Sequence, residues 1–360
     1  MTAAIVAADQ AGATLDVADA AVLYGAAFLV PLIATLLLTP AAARIARRLG
    51  VMDRPGARKS HVEPTPYLGG VALALGLVVA GLILGETAEQ AAVIAAGAVL
   101  VFGLGLLDDL RGVSPGPKVL VETAVAAMLW IGGVRAGFFG IPALDLLLTI
   151  GWVVLITNAV NLSDNMDGLA SGIGAIAAVA YFAIAVPQGD YLVASFAAAL
   201  AGASLGFLRY NFPPARIFLG DAGSLLLGFL LASLGLLLDL DVSNDLKRIA
   251  VQALIVGVPV FDTVLVVIAR RREGRPITVG GTDHASHRLS GLGLSGREVA
   301  LVAYGAQVAC SAVAVTAVNV PELVVPVAIA AALLGGVLAA AIVARARSRE
   351  RAAGLNGEPR

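Results

Sequence analysis

The region 158–172, N-A-V-N-L-S-D-N-M-D-G-L-A-S-G, crowds polar side chains between apolar runs at 144–156 and 169–186. Its amides and carboxylates are Asn158, Asn161, Asp164, Asn165 and Asp167. A charged group inside a bilayer costs about 3 kcal/mol or more, so such a cluster in a membrane segment indicates a functional site. A solvated turn between two helices is the alternative, since turns favour Asn, Asp and Gly. We favour the functional site, because glycine and serine alone would form the same turn.

Three further motifs carry groups that bind metals or exchange protons. They are G-L-L-D-D-L-R-G with Asp108 and Asp109, I-F-L-G-D-A-G-S with Asp221, and T-D-H-A-S-H-R-L with His284 and His287. Carboxylate oxygens suit Mg²⁺, which usually binds through one or two carboxylates together with the phosphates of a substrate. The motifs therefore predict a magnesium site in an enzyme whose substrate carries phosphate.

The surrounding residues also suit a phosphate-bearing substrate. Basic side chains in the same loops would neutralise phosphate oxygens. The glycines Gly220, Gly223, Gly280 and Gly281 would let the backbone approach them closely. These residue types together predict metal-assisted phosphoryl transfer at a membrane surface.

The paired aspartates have a plainer explanation as well. An exposed ion pair between a helix-end aspartate and Arg111 would stabilise the fold by at most about 1 kcal/mol. Two adjacent carboxylates repel each other, however. The ion pair therefore explains one of Asp108 and Asp109 and leaves the other for function.

Composition places the whole chain in a membrane. Of its 360 residues 59% are hydrophobic and only 14% are charged, with a mean hydropathy of +0.91. These values lie far from those of soluble domains. The net charge is −1 and the single cysteine, Cys310, lies in an apolar run. We therefore predict one all-α integral membrane domain over residues 1–360, with no disulfide within the chain and no nucleic-acid partner.

Apolar runs long enough to cross a bilayer recur along the chain, and a span needs about 20 such residues. Eleven transmembrane helices are predicted, at 21–43, 68–85, 91–107, 118–135, 144–160, 169–186, 191–209, 222–238, 249–269, 299–318 and 323–344. Pro259 lies inside the ninth span, where it predicts a kink or a break.

The distribution of Lys and Arg predicts the orientation. Of the 24 basic residues, 21 lie in loops after odd-numbered spans or in the C-terminal tail at 345–360, which we expect to be disordered. Positive charge favours the cytoplasmic side, so the N-terminus is predicted outside and the C-terminus inside. All the acidic and histidine motifs then end on the cytoplasmic face.

The order and shared side of these motifs resemble the polyprenyl-phosphate N-acetylhexosamine-1-phosphate transferases, which are related to the phospho-MurNAc-pentapeptide translocases. The resemblance covers nearly the whole chain. Members of the family start lipid-linked glycan, lipopolysaccharide, teichoic acid or peptidoglycan precursors in the bacterial plasma membrane. The resemblance implies eleven transmembrane helices, Mg²⁺ with Mn²⁺ as the alternative ion, a UDP-N-acetylhexosamine donor, and an undecaprenyl or decaprenyl phosphate acceptor. It also implies release of UMP and leaves a homodimer open.

The resemblance implies roles for the aspartates. Asp221 matches the family's magnesium-binding aspartate in F-x-G-D-x-G-S. Asp108 and Asp109 match the paired aspartates that position or deprotonate the acceptor phosphate, and Asp108 is predicted as a second metal ligand.

Substrate-binding roles are implied in the same way. Asn158, Asn161, Asp164 and Asp167 match the region that lines the nucleotide pocket, and Phe218 matches an aromatic residue that stacks on uracil. For Phe218 alone, a core or lipid-facing ring would be the ordinary explanation. Its position three residues before Asp221 favours the pocket.

The basic loops complete the predicted site. His284, His287 and Arg288 resemble the family's histidine-rich loop, which contacts the diphosphate, and Lys59 and His61 are predicted phosphate contacts in the first cytoplasmic loop.

The chain departs from the family pattern at two places. Ala285 and Ser286 replace a denser H-x-H-H run, which leaves open which histidine is essential. Asn165 and Met166 stand where Gly-Leu is common, so the pocket near the base is expected to differ.

The donor is predicted to be UDP-N-acetylglucosamine. The loops R-K-S-H-x-x-P-T-P-Y-L-G-G and H-x-x-H-R-L look more like the amino-sugar branch than the muramoyl-pentapeptide branch, which is the alternative. An ion-coupled transporter is the alternative from another class, but its ionisable groups would cluster near the bilayer midplane in repeated halves. A non-catalytic scaffold would not explain acids in four loops.

Overall fold

The computed structural model describes residues 16–53, 64–84, 89–240, 245–276, 281 and 283–320. Two predicted phosphate contacts, Lys59 and His61, lie outside these residues. So do the eleventh predicted span at 323–344 and the tail at 345–360.

The described chain is a bundle of helices with one short hairpin. In chain order the elements are α1 (Val17–Leu49), β1 (Met52–Asp53), β2 (Thr65–Pro66), α2 (Gly69–Leu84), α3 (Glu89–Arg111), α4 (Pro115–Ile131), α5 (Pro142–Ser163), α6 (Leu169–Gln188), α7 (Tyr191–Asn211), α8 (Gly220–Leu237), α9 (Asp245–Ile255), α10 (Gly257–Arg272), α11 (Ala285–Gly291) and α12 (Gly296–Ala317). Strands β1 and β2 pair antiparallel, with Met52 opposite Pro66. The prediction of an all-α chain is confirmed apart from this hairpin.

Seven of the described helices are long and apolar enough to cross a membrane, and the bent pair α9–α10 would make eight. Helix α2 is apolar but shorter, with 16 residues. The multi-pass membrane fold is therefore confirmed in its coarse form. The count of eleven and the orientation stay predictions.

Small residues hold the centre of the bundle together. Helices α6, α7 and α8 are each largely buried and rich in alanine and glycine. On α7, a side chain at Gly202 or Gly206 would overlap the carbonyl oxygens of Phe28 or Leu32 on α1. Such residues let membrane helices approach closely, where packing rather than the hydrophobic effect drives association.

The predicted ninth span is bent. Helices α9 and α10 meet at 91°, with the break at Val256. Pro259 lies in the first turn of α10, where its missing N–H removes no intrahelical bond. The break lies three residues before the proline, at the place where Gln307 of α12 reaches the backbone. Its amide donates to the Ile255 carbonyl at 2.8 Å and accepts from the Val258 N–H at 3.1 Å.

Replacing this bridging amide should destabilise the bend. In Gln307→Leu the backbone groups of Ile255 and Val258 lose their partner inside the bundle, which costs about 1–3 kcal/mol. We expect a lower melting temperature for the detergent-solubilised variant. Thr316→Val, an exposed site on the same helix, is the matched control and should melt with the wild type. Equal melting of Gln307→Leu and wild type would contradict the bridging role.

Candidate active site

Three helices bring two carboxylates to one positive charge. Lys118, in the first turn of α4, forms ion pairs with Asp108 near the end of α3 and with Asp221 at the start of α8, the latter at 2.7 Å. Asp108 also accepts the Val113 N–H at 2.5 Å, which closes the end of α3. Lys118 and Asp108 are only 16% and 10% exposed, so salt screens this pair weakly. The two predicted metal ligands therefore converge on a single cation.

Lys118 was missed as a site residue from the sequence. It counted only as one of the basic residues that predict the cytoplasmic side. The available signal was its place in the first turn of the helix that follows the paired aspartates.

Asp109 holds the start of α8 instead of facing the lysine. Its two carboxylate oxygens accept the backbone N–H groups of Asp221 at 2.7 Å and Ala222 at 3.0 Å. A carboxylate in this position caps the helix and complements its dipole. Gly220 has φ +73°, and a side chain there would contact the Asp109 carboxylate. Asp109 thus positions the backbone that carries Asp221. Its role toward the acceptor phosphate stays a prediction.

The segment before Asp221 is fixed by backbone hydrogen bonds. The N–H groups of Gly69 and Gly70 donate to the carbonyls of Phe218 at 3.0 Å and Leu219 at 2.8 Å. A side chain at Gly105 of α3 would overlap the backbone of α8 at its first turn. Glycines on α2 and α3 therefore let both helices approach the end of α8 that carries the carboxylate.

Asn161, a predicted nucleotide contact, lies beside Asp221. Its amide nitrogen donates to Asp221 Oδ1 at 2.9 Å and to Ser224 Oγ at 2.8 Å. Asp164 follows at the end of α5, where its N–H donates to the Asn161 carbonyl. Desolvation, reinforced by the Asp221 carboxylate, raises the pKa of Asp164 well above its usual value. Asn161 and Asp164 therefore lie in the same polar cluster as Asp221.

Two other predicted substrate contacts have partners elsewhere. The Asn158 amide donates to Glu122 on α4 at 2.5 Å and to the Val154 carbonyl at 2.9 Å. Asp167 accepts the Ala215 N–H at 2.8 Å. In this structure both side chains organise the bundle and its loops, so their substrate contacts stay predictions.

An open cleft of about 470 Å³ lies against the carboxylates. Its walls are Gly50, Val51, Met52, Asp53, Tyr67, Asp108, Asp109, Leu110 and Asp221. Tyr67 follows strand β2 and meets Phe218 edge to face, with ring centroids 6.1 Å apart. Burial, with nearby Asp109, raises the pKa of Tyr67, so its hydroxyl stays protonated as a donor. Phe218 thus lies next to the cleft, and Tyr67 is a wall residue that was not predicted from the sequence.

The histidines form a second cluster. His284 Nδ1 lies 2.7 Å from Asp262 Oδ2, and the His287 ring centroid is 5.8 Å from that of His284. Burial, together with His284, holds the pKa of His287 below its usual value. Ser286 donates to Asn165 Oδ1 at 2.5 Å, which links this cluster to the 158–172 region.

An arginine clamp fixes the loop that carries these histidines. Arg275 and Arg270 hold the Asp283 carboxylate, at 2.6 and 3.0 Å, and Arg288 donates to the Asp283 carbonyl at 2.9 Å. The hydrogen bonds, first that from Arg275, hold the pKa of Asp283 below its usual value. Arg288 is exposed beside the cluster. The predicted histidines and Arg288 are thus brought together, but around Asp262 and Asp283.

Sequence comparison finds known proteins that are similar to this chain. Residues 91–239 match the family described as Glycosyl transferase family 4. A protein of Bacillus subtilis named "Probable undecaprenyl-phosphate N-acetylglucosaminyl 1-phosphate transferase" is 39% identical over 288 residues, covering 77% of this chain and 80% of the relative. The chain belongs to glycosyl transferase family 4. The family resemblance predicted from the motifs is confirmed.

Two other relatives cover the chain to a similar extent. The decaprenyl-phosphate N-acetylglucosaminephosphotransferase of Mycobacterium tuberculosis is 34% identical over 72% of this chain and 74% of its own length. The phospho-N-acetylmuramoyl-pentapeptide-transferase of Moorella thermoacetica is 34% identical over 72% of this chain and 88% of its own. As a member of family 4 the chain is a sugar-1-phosphate transferase, and the transporter alternative has no support.

The family 4 chain has a donor set that fits a divalent cation. No group of three or more His, Cys, Asp or Glu side chains placed to hold a metal occurs among the described residues. Asp108 and Asp221 nevertheless converge on one positive charge, and Mg²⁺ commonly takes one or two carboxylates and completes its shell with water and phosphate. Two carboxylates at an open cleft suit that mode of binding.

Proposed function

We propose that this family 4 enzyme transfers N-acetylglucosamine-1-phosphate from UDP-N-acetylglucosamine to a polyprenyl phosphate and releases UMP. An oxygen of the lipid phosphate attacks the phosphorus that carries the sugar, and the bond from that phosphorus to UMP breaks. The convergence of Asp108 and Asp221 on Lys118, beside the 470 Å³ cleft, is the observation that supports this proposal most directly. The names of the Bacillus and Mycobacterium relatives support the choice of sugar and lipid.

We further propose that Asp221 and Asp108 hold Mg²⁺, with Mn²⁺ as the alternative. The ion, when bound, neutralises the diphosphate and the charge that develops on UMP. Such a role accords with phosphoryl transfer, where positioning and charge stabilisation supply most of the catalysis.

The chain's own residues position and neutralise the reacting groups. Lys118 supplies a positive charge to a phosphate oxygen at the cleft, and Asn161 fixes the orientation of the Asp221 carboxylate. Asp109 keeps the first turn of α8 in register with α3. The cluster of His284, His287 and Arg288 contacts the diphosphate from the loop side, which the link between Ser286 and Asn165 supports.

The proposed membrane arrangement follows from charge. The N-terminus lies outside and eleven spans place the cleft on the cytoplasmic face of the bacterial plasma membrane, where soluble UDP-sugars are available. The 21 basic residues predicted on that side support this orientation. Cysteine-accessibility labelling of the loops tests the orientation, and light scattering of the solubilised protein tests the homodimer.

The decisive experiment supplies purified protein with Mg²⁺, a polyprenyl phosphate and one UDP-sugar, and measures UMP together with the mass of the lipid product. We expect turnover with UDP-N-acetylglucosamine. UDP-N-acetylmuramoyl-pentapeptide is the second donor to test, because the Moorella relative aligns over 88% of its length. UMP from the second donor alone would reassign the substrate. No UMP from any UDP-sugar would overturn the proposal.

A further inference from the structure

Asp262 lies in α10, outside the group of carboxylates at the cleft, and uses both of its oxygens. Oδ2 lies 2.7 Å from His284 Nδ1, and Oδ1 accepts the Ala285 N–H at 2.7 Å. The two side chains are 9% and 5% exposed. A buried acid with two directed contacts is a strong constraint on the ring that it faces.

The contact determines which ring nitrogen carries a proton. An ionised carboxylate has only acceptors, so the nitrogen that faces it must donate. Nδ1 of His284 is then protonated, and Nε2 is left as the atom that exchanges a proton or bonds to a ligand. A carboxylate behind an imidazole also stabilises the charged ring when Nε2 takes up a proton.

Capping of α11 alone does not account for this arrangement. The Ala285 N–H needs one acceptor, and an asparagine at position 262 would supply it. Burying a full charge beside His284 has a desolvation cost that a neutral cap avoids. The contact of Oδ2 with His284 therefore indicates that the Asp262 carboxylate acts on the imidazole.

Contacts at two further places fix the helix that carries Asp262. Asp262 lies in the second turn after the break at Val256, and Gln307 holds both sides of that break. Arg270, two turns further along α10, binds Asp283, the residue before His284. Helix α10 thus holds the histidine loop at two points, about two turns apart.

We propose that Asp262 is a positioning residue, which holds His284 with its proton on Nδ1 and so keeps Nε2 as the atom that shares a proton with a phosphate oxygen of the substrate. This inference rests on the proposed function for the identity of that substrate. The state of the ring can be tested without it.

The test is Asp262→Asn. The asparagine oxygen can still accept the Ala285 N–H, but its NH₂ group replaces Oδ2 and donates to Nδ1, which moves the ring proton to Nε2. The chain has only three histidines, so ¹⁵N labelling of histidine gives few ring signals, and His284→Gln identifies the one in question. We expect the Nδ1–H form in the wild type and the Nε2–H form in the variant.

Activity provides the second measurement. Partners that orient a functional histidine are worth about 10- to 100-fold, so kcat for UMP release should fall by that factor in Asp262→Asn. In a His284→Gln background the same substitution should change kcat less than about twofold, since it acts through the ring. Asp145→Asn is the matched control: it removes a buried carboxylate that accepts two backbone N–H groups ahead of α5, and it should change neither measurement.

Three results would overturn the inference. They are a wild-type His284 with its proton on Nε2, a variant that moves the proton without loss of kcat, and an equal loss of kcat in the His284→Gln background. A wild-type enzyme that releases no UMP from any UDP-sugar would instead refute the proposed function, and the ring signals would still decide the state of His284.

Discussion

Asp221→Asn should reduce kcat for UMP release by about 10³-fold or more, because the proposed metal contributes several kcal/mol to the transition state. Asp221 is the carboxylate on which the site is built. One oxygen accepts from Asn161 and the other faces Lys118. Asparagine preserves the size of the side chain and one acceptor oxygen, but it removes the negative charge. The variant should fold normally and lose the response of activity to Mg²⁺.

The measurement is UMP release at saturating substrates across a Mg²⁺ titration. EDTA should abolish wild-type turnover, and added Mg²⁺ should restore it. Asp145→Asn, which neutralises a buried carboxylate away from the cleft, serves as the control and should retain activity. Full activity of Asp221→Asn with an unchanged Mg²⁺ dependence would remove Asp221 from the metal site. A loss accompanied by a lower melting temperature would show damage to α8 instead.

The sequence predicted that Asp108 and Asp221 belong to one metal site, but it did not predict the lysine that contacts both carboxylates. Asp108, Asp221 and Asn161 were each predicted, and the structure brings all three together. Lys118 was not, because nothing in the sequence separates it from the rest of the 21 Lys and Arg residues that mark the cytoplasmic side. Its contact with Asp221 spans 103 residues of sequence, so only the packing of α4 and α8 against their shared neighbours α3 and α5 reveals it.

Depth in the bundle separated residues that share a motif. Asn158 and Asn161 are three residues apart on α5, which places them about 4.5 Å apart along the axis. Asn161 therefore lies at the level of Asp221, whereas Asn158 lies deeper in the bundle, at the level of Glu122. The sequence motif suggests the same role for both residues. Their different depths along α5 give them different partners.

The bend of the ninth predicted span also involves a contact between residues that are distant in the sequence. Proline predicted an irregularity in roughly the right place, but the backbone on the two sides of the break is bonded by Gln307, 52 residues beyond Ile255. The same bend carries Asp262 toward the histidine loop. Hydropathy shows that a segment is apolar and cannot show where it bends in three dimensions, so the partner of His284 was not predicted.

Lys118→Met should lower kcat by about 10²- to 10³-fold, the usual effect of removing a positioned donor at a developing charge. Two explanations of such a loss can be separated. If the ammonium only relieves repulsion between Asp108 and Asp221, a saturating divalent ion between them would replace it and restore activity. If it neutralises a phosphate oxygen, Mg²⁺ cannot take its place.

We expect the loss in Lys118→Met to persist at saturating Mg²⁺. Lys118→Arg should recover only part of the activity, since the guanidinium is wider and directs its hydrogen bonds in a plane. Arg135→Met, a basic residue beyond the other end of α4, is the control and should leave kcat unchanged. Recovery of Lys118→Met by Mg²⁺ would limit the lysine to balancing the two carboxylates. Persistence of the loss, with the Mg²⁺ affinity maintained, would show that the ammonium neutralises the substrate. An ammonium that only substituted for the metal would not be needed once the metal is bound.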